Sequence, residues 1–297
     1  GKKTERLSSS NVRIESPGSS KLLKQRTKAG SDVPDSFSEN PQPIIEAASQ
    51  LAARLFPKNG KKRKLLFTQL QGFYSAARNA DILVIHSPGG WGNAHWENVQ
   101  DWEKSIVTGV TATLGQLGYS YIMKQYFRSG DELWGKPSWL REGKFFVFGK
   151  SFRAEIFAAE LKFLTANLPQ LKIVLVGASQ GAAFDNKALM VLGTNEQVYS
   201  IELGTFFAHM QRRQLTNRNL AIDNNGFMKD PMCQRDLWQG TKSYFKAFVR
   251  WFNYKMQGKP VKFTNCINTP GHEYQWEYPE VKGRITAFLN ANFGGKH

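Results

Sequence analysis

The chain has 297 residues, a formal charge of +16 and 41% hydrophobic residues, enough for one large α/β domain or two small ones with a core that needs no metal or disulfide staple. Two cysteines, Cys233 and Cys266, cannot build a disulfide framework, and no apolar run approaches the roughly 18 residues of a membrane span. Residues 1–64 hold 14 Lys and Arg against 6 Asp and Glu, half of the excess charge, so any grip on nucleic acid, anionic lipid or an acidic polymer concentrates there.

Residues 1–42, rich in Ser, Lys, Pro and Gly, read as a flexible basic arm. Its charge suits docking on an anionic surface or a larger particle. Gly1 in place of methionine predicts a processed or trimmed N-terminus. The main domain follows over 43–297. Its lead-in, 43–80, has helical spacing over Pro43–Phe56 and Leu65–Ala77. Lys61-Lys62-Arg63-Lys64 between them reads as a solvated turn or as a phosphate grip.

Strand and helix signals then alternate, as a parallel sheet covered on both faces requires. Strands are expected at Ile82–Ile85, Tyr119–Met123, Lys172–Val176, Val198–Leu203, Leu220–Ile222 and Val261–Ile267. Helices are expected at Val99–Leu117, along a single apolar stripe through Phe157, Leu161, Leu164 and Leu168, at Asp236–Gln257 and at Val281–Phe293. Gly149-Lys150-Ser151 resembles the end of a phosphate-binding loop, but Gly143 stands one residue too far away. Phe145–Phe148 between them reads as a strand, which excludes nucleotide binding there.

The stretch Lys172–Ala183 carries the chemistry. Four aliphatic residues lead into Gly177-Ala178-Ser179-Gln180-Gly181, a strand delivering a serine between two glycines. A serine hydroxyl becomes a useful nucleophile when a sharp strand-to-helix turn presents it to a base and to free amides, and glycines at 177 and 181 leave room for that turn. The base is expected on the loop after the last strand. His272, after the turn Asn268-Thr269-Pro270-Gly271, fits; His209 comes too early, His95 sits in a Trp-rich loop, and His297 is terminal.

The orienting acid is Asp230 or Asp223. Asp230, in a loop after the turn Asn224-Asn225-Gly226, is preferred over Asp223 at the tip of a strand, while Asp236 reads as a helix cap. Two amides must receive the developing oxyanion: that of Gln180, and one from the loop His86–Asn93, with Ser87 the first candidate and Gly89 the second. No metal or cofactor is needed.

These motifs resemble the cutinase-type serine esterases of the α/β-hydrolase class, including the bacteriophage lysin B group. Gly177-Ala178-Ser179-Gln180-Gly181-Ala182 is similar to that group's Gly-Tyr-Ser-Gln-Gly-Ala; Asp230-Pro231-Met232-Cys233 resembles the acid motif, without the cysteine that normally precedes the aspartate. Gly271-His272-Glu273-Tyr274 and the closing helix look like the lysin B histidine motif. The likeness spans about 81–293. It implies a mostly parallel sheet with helices on both faces and hydrolysis of long-chain or lipid-like carboxylic esters, with mycolyl esters of a cell envelope as the lysin B substrate. It also implies action at or near an envelope, by a secreted or phage-encoded enzyme.

Cys233 and Cys266 are either bridged, pinning the acid loop to the histidine loop, or free buried thiols. Seven aromatics from Trp238 to Tyr254 read as an acyl-binding lid or wall, or as ordinary core packing. The alternative class is a binding protein on a hydrolase scaffold that holds nucleic acid or an anionic polymer with its arm, catalysis being absent or incidental.

Overall fold

Near-continuous burial along β1 (Ile82–Ser87) and β3 (Lys172–Ala178), with side chains alternating between two faces, sets the layers. Leu83, Ile85, Ile173 and Leu175 face one core, whereas Ile82, Val84, Val174 and Val176 face the other. Strands buried on both sides read as continuous aliphatic runs, which is why these two were conspicuous. The computed structural model describes residues 42–136, 139–233, 253, 256 and 271–295. The basic arm apart from its last residue, the predicted final strand, Cys266 and the aromatic residues of the predicted 236–257 helix lie outside them.

Among the described residues five strands form one wholly parallel sheet in the order β2-β1-β3-β4-β5, with β2 at Tyr121–Gln125, β4 at Val198–Leu203 and β5 at Asn219–Ile222. Helices α1 (Gln42–Leu55) and α2 (Gly60–Ala77) share a core with α5 (Phe152–Asn167) and α6 (Gln180–Leu192) on one face. On the other, α3 (Asp101–Gln116) packs with α8 (Pro279–Phe293), which contributes Val281, Ile285, Leu289 and Phe293. The fold is therefore of the α/β class, a central parallel sheet covered on both faces, as an α/β-hydrolase requires. Among the described residues no helix is long and apolar enough to cross a membrane.

Three expectations are corrected. Phe145–Phe148 is not a strand but the end of helix α4 (Trp139–Phe148). A four-residue apolar run does not by itself separate strand from helix, and the preceding residues continue the helical turn. Lys61–Lys64 is the first turn of α2 rather than a loop: Asn59 caps it by accepting the Lys62 amide at 2.9 Å, and buried Leu66 and Leu70 hold the helix down despite basic residues at its positive end. Helix α5 buries more than one stripe, because Arg153, Glu160 and Thr165 are enclosed along with Ile156, Phe157 and Leu161. A short helix, α7 (Phe207–Met210), follows β4 and carries no sequence signal.

Glu160 is one of the charged groups enclosed in this layer. Its carboxylate accepts two bonds from the Gln69 side chain of α2 at 3.0 and 3.2 Å. Burial pushes its pKa up to about 8, with Asp131 adding and Gln69 opposing. The unfolded chain ionises this group near 4.5, so the folded state holds the extra proton between that value and about 8. Glu160 therefore lowers stability progressively as pH rises across that window, and has no further effect above it. Urea titrations of Glu160→Gln should show that slope removed and stability at pH 8 above that of the parent; parallel curves would contradict the burial account.

Candidate active site

Ser179 joins β3 directly to α6 with φ 53° and ψ −112°, the one non-glycine residue among those described with positive φ. Such a conformation costs on the order of 1–3 kcal/mol and persists when surrounding structure enforces it. Here the Ser179 amide donates to the Leu203 carbonyl of β4 at 2.7 Å, and the Ser179 carbonyl accepts from Ala183 in the first turn of α6. A Cβ on Gly181 would stand 2.1 Å from the Ser87 carbonyl oxygen, and one on Gly177 would stand 2.5 Å from Asp185 Oδ2. Both glycines are thus demanded by close backbone approach, and Ser179 is left half-exposed above the sheet.

His272 and Asp230 meet at Gly204, the residue after the Leu203 carbonyl that holds the Ser179 amide. His272 Nδ1 is 2.6 Å from Asp230 Oδ2, leaving Nε2 as the ring nitrogen open to another partner. Asp230 is fully buried, and its carboxylate also accepts from the Tyr274 hydroxyl, the Cys233 thiol at 3.3 Å and the Met232 amide at 2.8 Å. Burial alone would raise its pKa. The His272 hydrogen bond and charge, the Tyr274 hydroxyl and the Met232 amide outweigh it and hold the carboxyl below its ordinary value. Asp223, the other candidate, makes a bidentate pair with Arg213 at 2.9 and 2.7 Å. Cys233 is a free buried thiol.

Gly204, one residue after β4, links the two halves. A Cβ there would lie 2.8 Å from His272 Cε1 and from the Tyr274 ring, and 3.0 Å from Asp230 Oδ2, while the adjacent Leu203 carbonyl holds Ser179. Trp102 of α3 lies edge-on to the rings of His272, at 6.2 Å, and tilted against Tyr274, at 5.7 Å, and the Trp276 amide donates to Ser105 of the same helix. The histidine loop is therefore braced by α3.

The amide of Gln180, first residue of α6, belongs to the set that has no acceptor within its helix. Ser87 ends β1 in register with Gly177; its hydroxyl donates to Asp185 at 2.6 Å and its carbonyl faces Gly181. Gly89 is corrected as an oxyanion donor, because its amide points at the Glu103 carboxylate at 3.3 Å. The same carboxylate meets buried His86 at 3.1 Å.

Several supporting groups escaped sequence reading because they are polar residues within apolar helices or lone charges in loops. Asp185 is completely enclosed, and burial raises its carboxyl well above the usual range, with Glu202 adding and Ser87 and Arg128 opposing. Arg128 is also enclosed and donates to the Pro88 and Gly90 carbonyls at 3.0 and 2.7 Å, fixing the loop beside the serine. His209 packs on Phe145 at 4.4 Å, and burial, with Arg212 and Arg128 nearby, lowers its pKa to about 4, so it is neutral in the interior. Among the described residues no cluster of three His, Cys, Asp or Glu side chains is placed to hold a metal.

No family model and no curated protein matches the sequence. Among solved structures, a cutinase of Trichoderma reesei in complex with a C11Y4 phosphonate inhibitor aligns with 86% of this chain and 93% of its own, at 15% identity and a TM-score of 0.38.

The steric role of Gly204 is open to test. Gly193 also has positive φ, 72°, but open space around its Cβ position. Alanine at 193 reports backbone strain alone, so Gly204→Ala should lose about 1–3 kcal/mol more than Gly193→Ala in denaturant titrations. Equal losses would show that the His272–Asp230 pair is not wedged against residue 204.

Proposed function

We propose that the chain is a serine hydrolase of carboxylic esters. The observation that carries this reading is the strained serine at the strand–helix junction, its amide held by Leu203 of β4, whose next residue, Gly204, is packed against a histidine bonded through Nδ1 to a buried carboxylate. Ser179 Oγ attacks the ester carbonyl while His272 Nε2 takes its proton; Asp230 holds the imidazole in the tautomer that leaves Nε2 basic and stabilises the cation that forms. The oxyanion is received by the Gln180 amide at the start of α6 and by the loop begun at Ser87, each donor being worth about 3 kcal/mol of barrier. Collapse expels the alcohol with the proton from His272. Water, deprotonated by the same ring, then attacks the acyl-enzyme and releases the acid and Ser179.

A lipid-like acyl group is the substrate class we favour, as in the cutinase and lysin B likeness of the motifs. Phe227 and Met228 are exposed, and Met228 Cγ lies 3.2 Å from the Cβ position of Gly271, next to His272, so an apolar rim borders the histidine. The aromatic-rich stretch 238–254 supplies further apolar residues between acid and base in the sequence.

Kinetics on p-nitrophenyl esters of increasing length test both levels. Ser179→Ala is expected to abolish turnover, and Asp230→Asn to lower kcat by about 10²–10⁴-fold with little change in KM. Asp223→Asn should leave kcat nearly intact; the reverse order for the two aspartates would reassign the acid. Hydrolysis confined to acetyl and butyryl esters would remove the lipid-like substrate while leaving the mechanism standing.

A further inference from the structure

Gly149-Lys150-Ser151 does not form a nucleotide loop, yet it lies in a site of its own. It connects α4 to α5, and Lys150 and Ser151 line a pocket of about 180 Å³ with Phe145, Trp134 and a ring of cations. The cations are Lys62, Arg128, Arg141, Lys144, Lys150 and Arg153, and no carboxylate is among the described lining residues. Asp131 acts on Lys62 and Arg153 from outside the lining. Lys144, Lys150 and Arg141 are exposed, so their charges are reachable from solution, and Arg141 also donates to the Lys136 carbonyl at 2.9 Å.

Two further features select the ligand. The pocket contains the N-terminus of the 16-residue helix α5, where Ser151 caps the Ala154 amide and the remaining first-turn amides have no acceptor within the helix. Trp134 is 4% exposed, and its indole N–H has no hydrogen-bond partner among the described residues, a buried donor that would ordinarily cost stability. Lys62 and Arg153 lie over the Trp134 ring at 5.7 and 5.3 Å, fixing both ring and charges in place.

Beside the rings of Phe145, Phe152 and Phe184, the polar groups lining this cavity are donors apart from the Ser151 hydroxyl: ammonium and guanidinium groups, helix amides and an indole. An acceptor-only, multiply charged oxyanion matches that set. The volume falls below the roughly 300–1,000 Å³ of drug-sized sites and suits a group the size of a phosphate or pyrophosphate. We propose that the α4–α5 junction binds a phosphate-bearing ligand through Lys144, Lys150, the α5 N-terminus and the Trp134 indole. Arg128 lines the same pocket and donates to the Pro88 and Gly90 carbonyls, so the bound phosphate lies one side chain from the loop beside Ser179.

Calorimetry on the full chain carrying Ser179→Ala, so that turnover plays no part, uses inorganic pyrophosphate at about 0.15 M salt. In parallel, the same protein is sedimented with phosphatidylcholine vesicles containing phosphatidic acid. One-to-one pyrophosphate binding, weakened about tenfold or more by Lys144→Ala with Lys150→Ala and several-fold by Trp134→Phe, identifies a soluble phosphate. Vesicle binding reduced by the same substitutions, without pyrophosphate binding, identifies a lipid headgroup; both responses together support the shared phosphate chemistry. If neither probe binds, or if binding is indifferent to the double lysine variant and to Trp134→Phe, the site is not a phosphate site.

Discussion

The left-handed turn at Ser179 is the constraint around which the rest of the structure is arranged. A residue with φ 53° is held between β3 and α6 because its amide is bonded into β4 and because two glycines allow α6 and the β1 loop to close on it. The cost, on the order of 1–3 kcal/mol, is met by a sheet whose central strands are buried on both faces. The strain directs the hydroxyl out of the sheet and sets the first amide of α6 beside it. In the function proposed above, this geometry presents Ser179 as the nucleophile.

The second half of the site assembles on the same strand ends by a different principle. Asp230 is buried without a lysine or arginine partner and is satisfied by four donors, His272, Tyr274, Cys233 and the Met232 amide. Those donors come from two loops that approach each other across Gly204. A buried carboxylate with so many partners is rigid, and it hands that rigidity to the imidazole. Trp102 and the Ser105–Trp276 bond extend the support to α3, so the histidine is positioned by a helix core and not by loop contacts alone.

Much of this was legible in the residues. The aliphatic runs of β1, β3 and β4 and the Gly-x-Ser-x-Gly spacing are strong signals, because a doubly buried strand and a sterically closed turn leave few residue types to choose from. The pairing of Asp230 with His272, and of Asp223 with Arg213, could not be read directly, since it depends on how two loops fold toward each other; only the place of Asp230 in a loop after a turn, against Asp223 at a strand tip, favoured it. Gly89 misled because its place in a glycine-rich turn says nothing of where its amide points, and Glu103, in α3, was invisible as its acceptor. Phe145–Phe148 misled because a short aromatic run serves either secondary structure. Arg128, Asp185 and Glu160 are single polar residues whose burial appears only when the layers are assembled.

Covalent labelling addresses the convergence of serine, histidine and aspartate most directly. A fluorophosphonate allowed to react with the folded protein and mapped by peptide mass spectrometry should add one phosphonyl group per chain, on Ser179, with labelling suppressed in His272→Ala and strongly slowed in Asp230→Asn. Absence of labelling in a folded sample, or labelling of Ser179 at an unchanged rate in the His272→Ala variant, would contradict an activated serine at the β3–α6 junction.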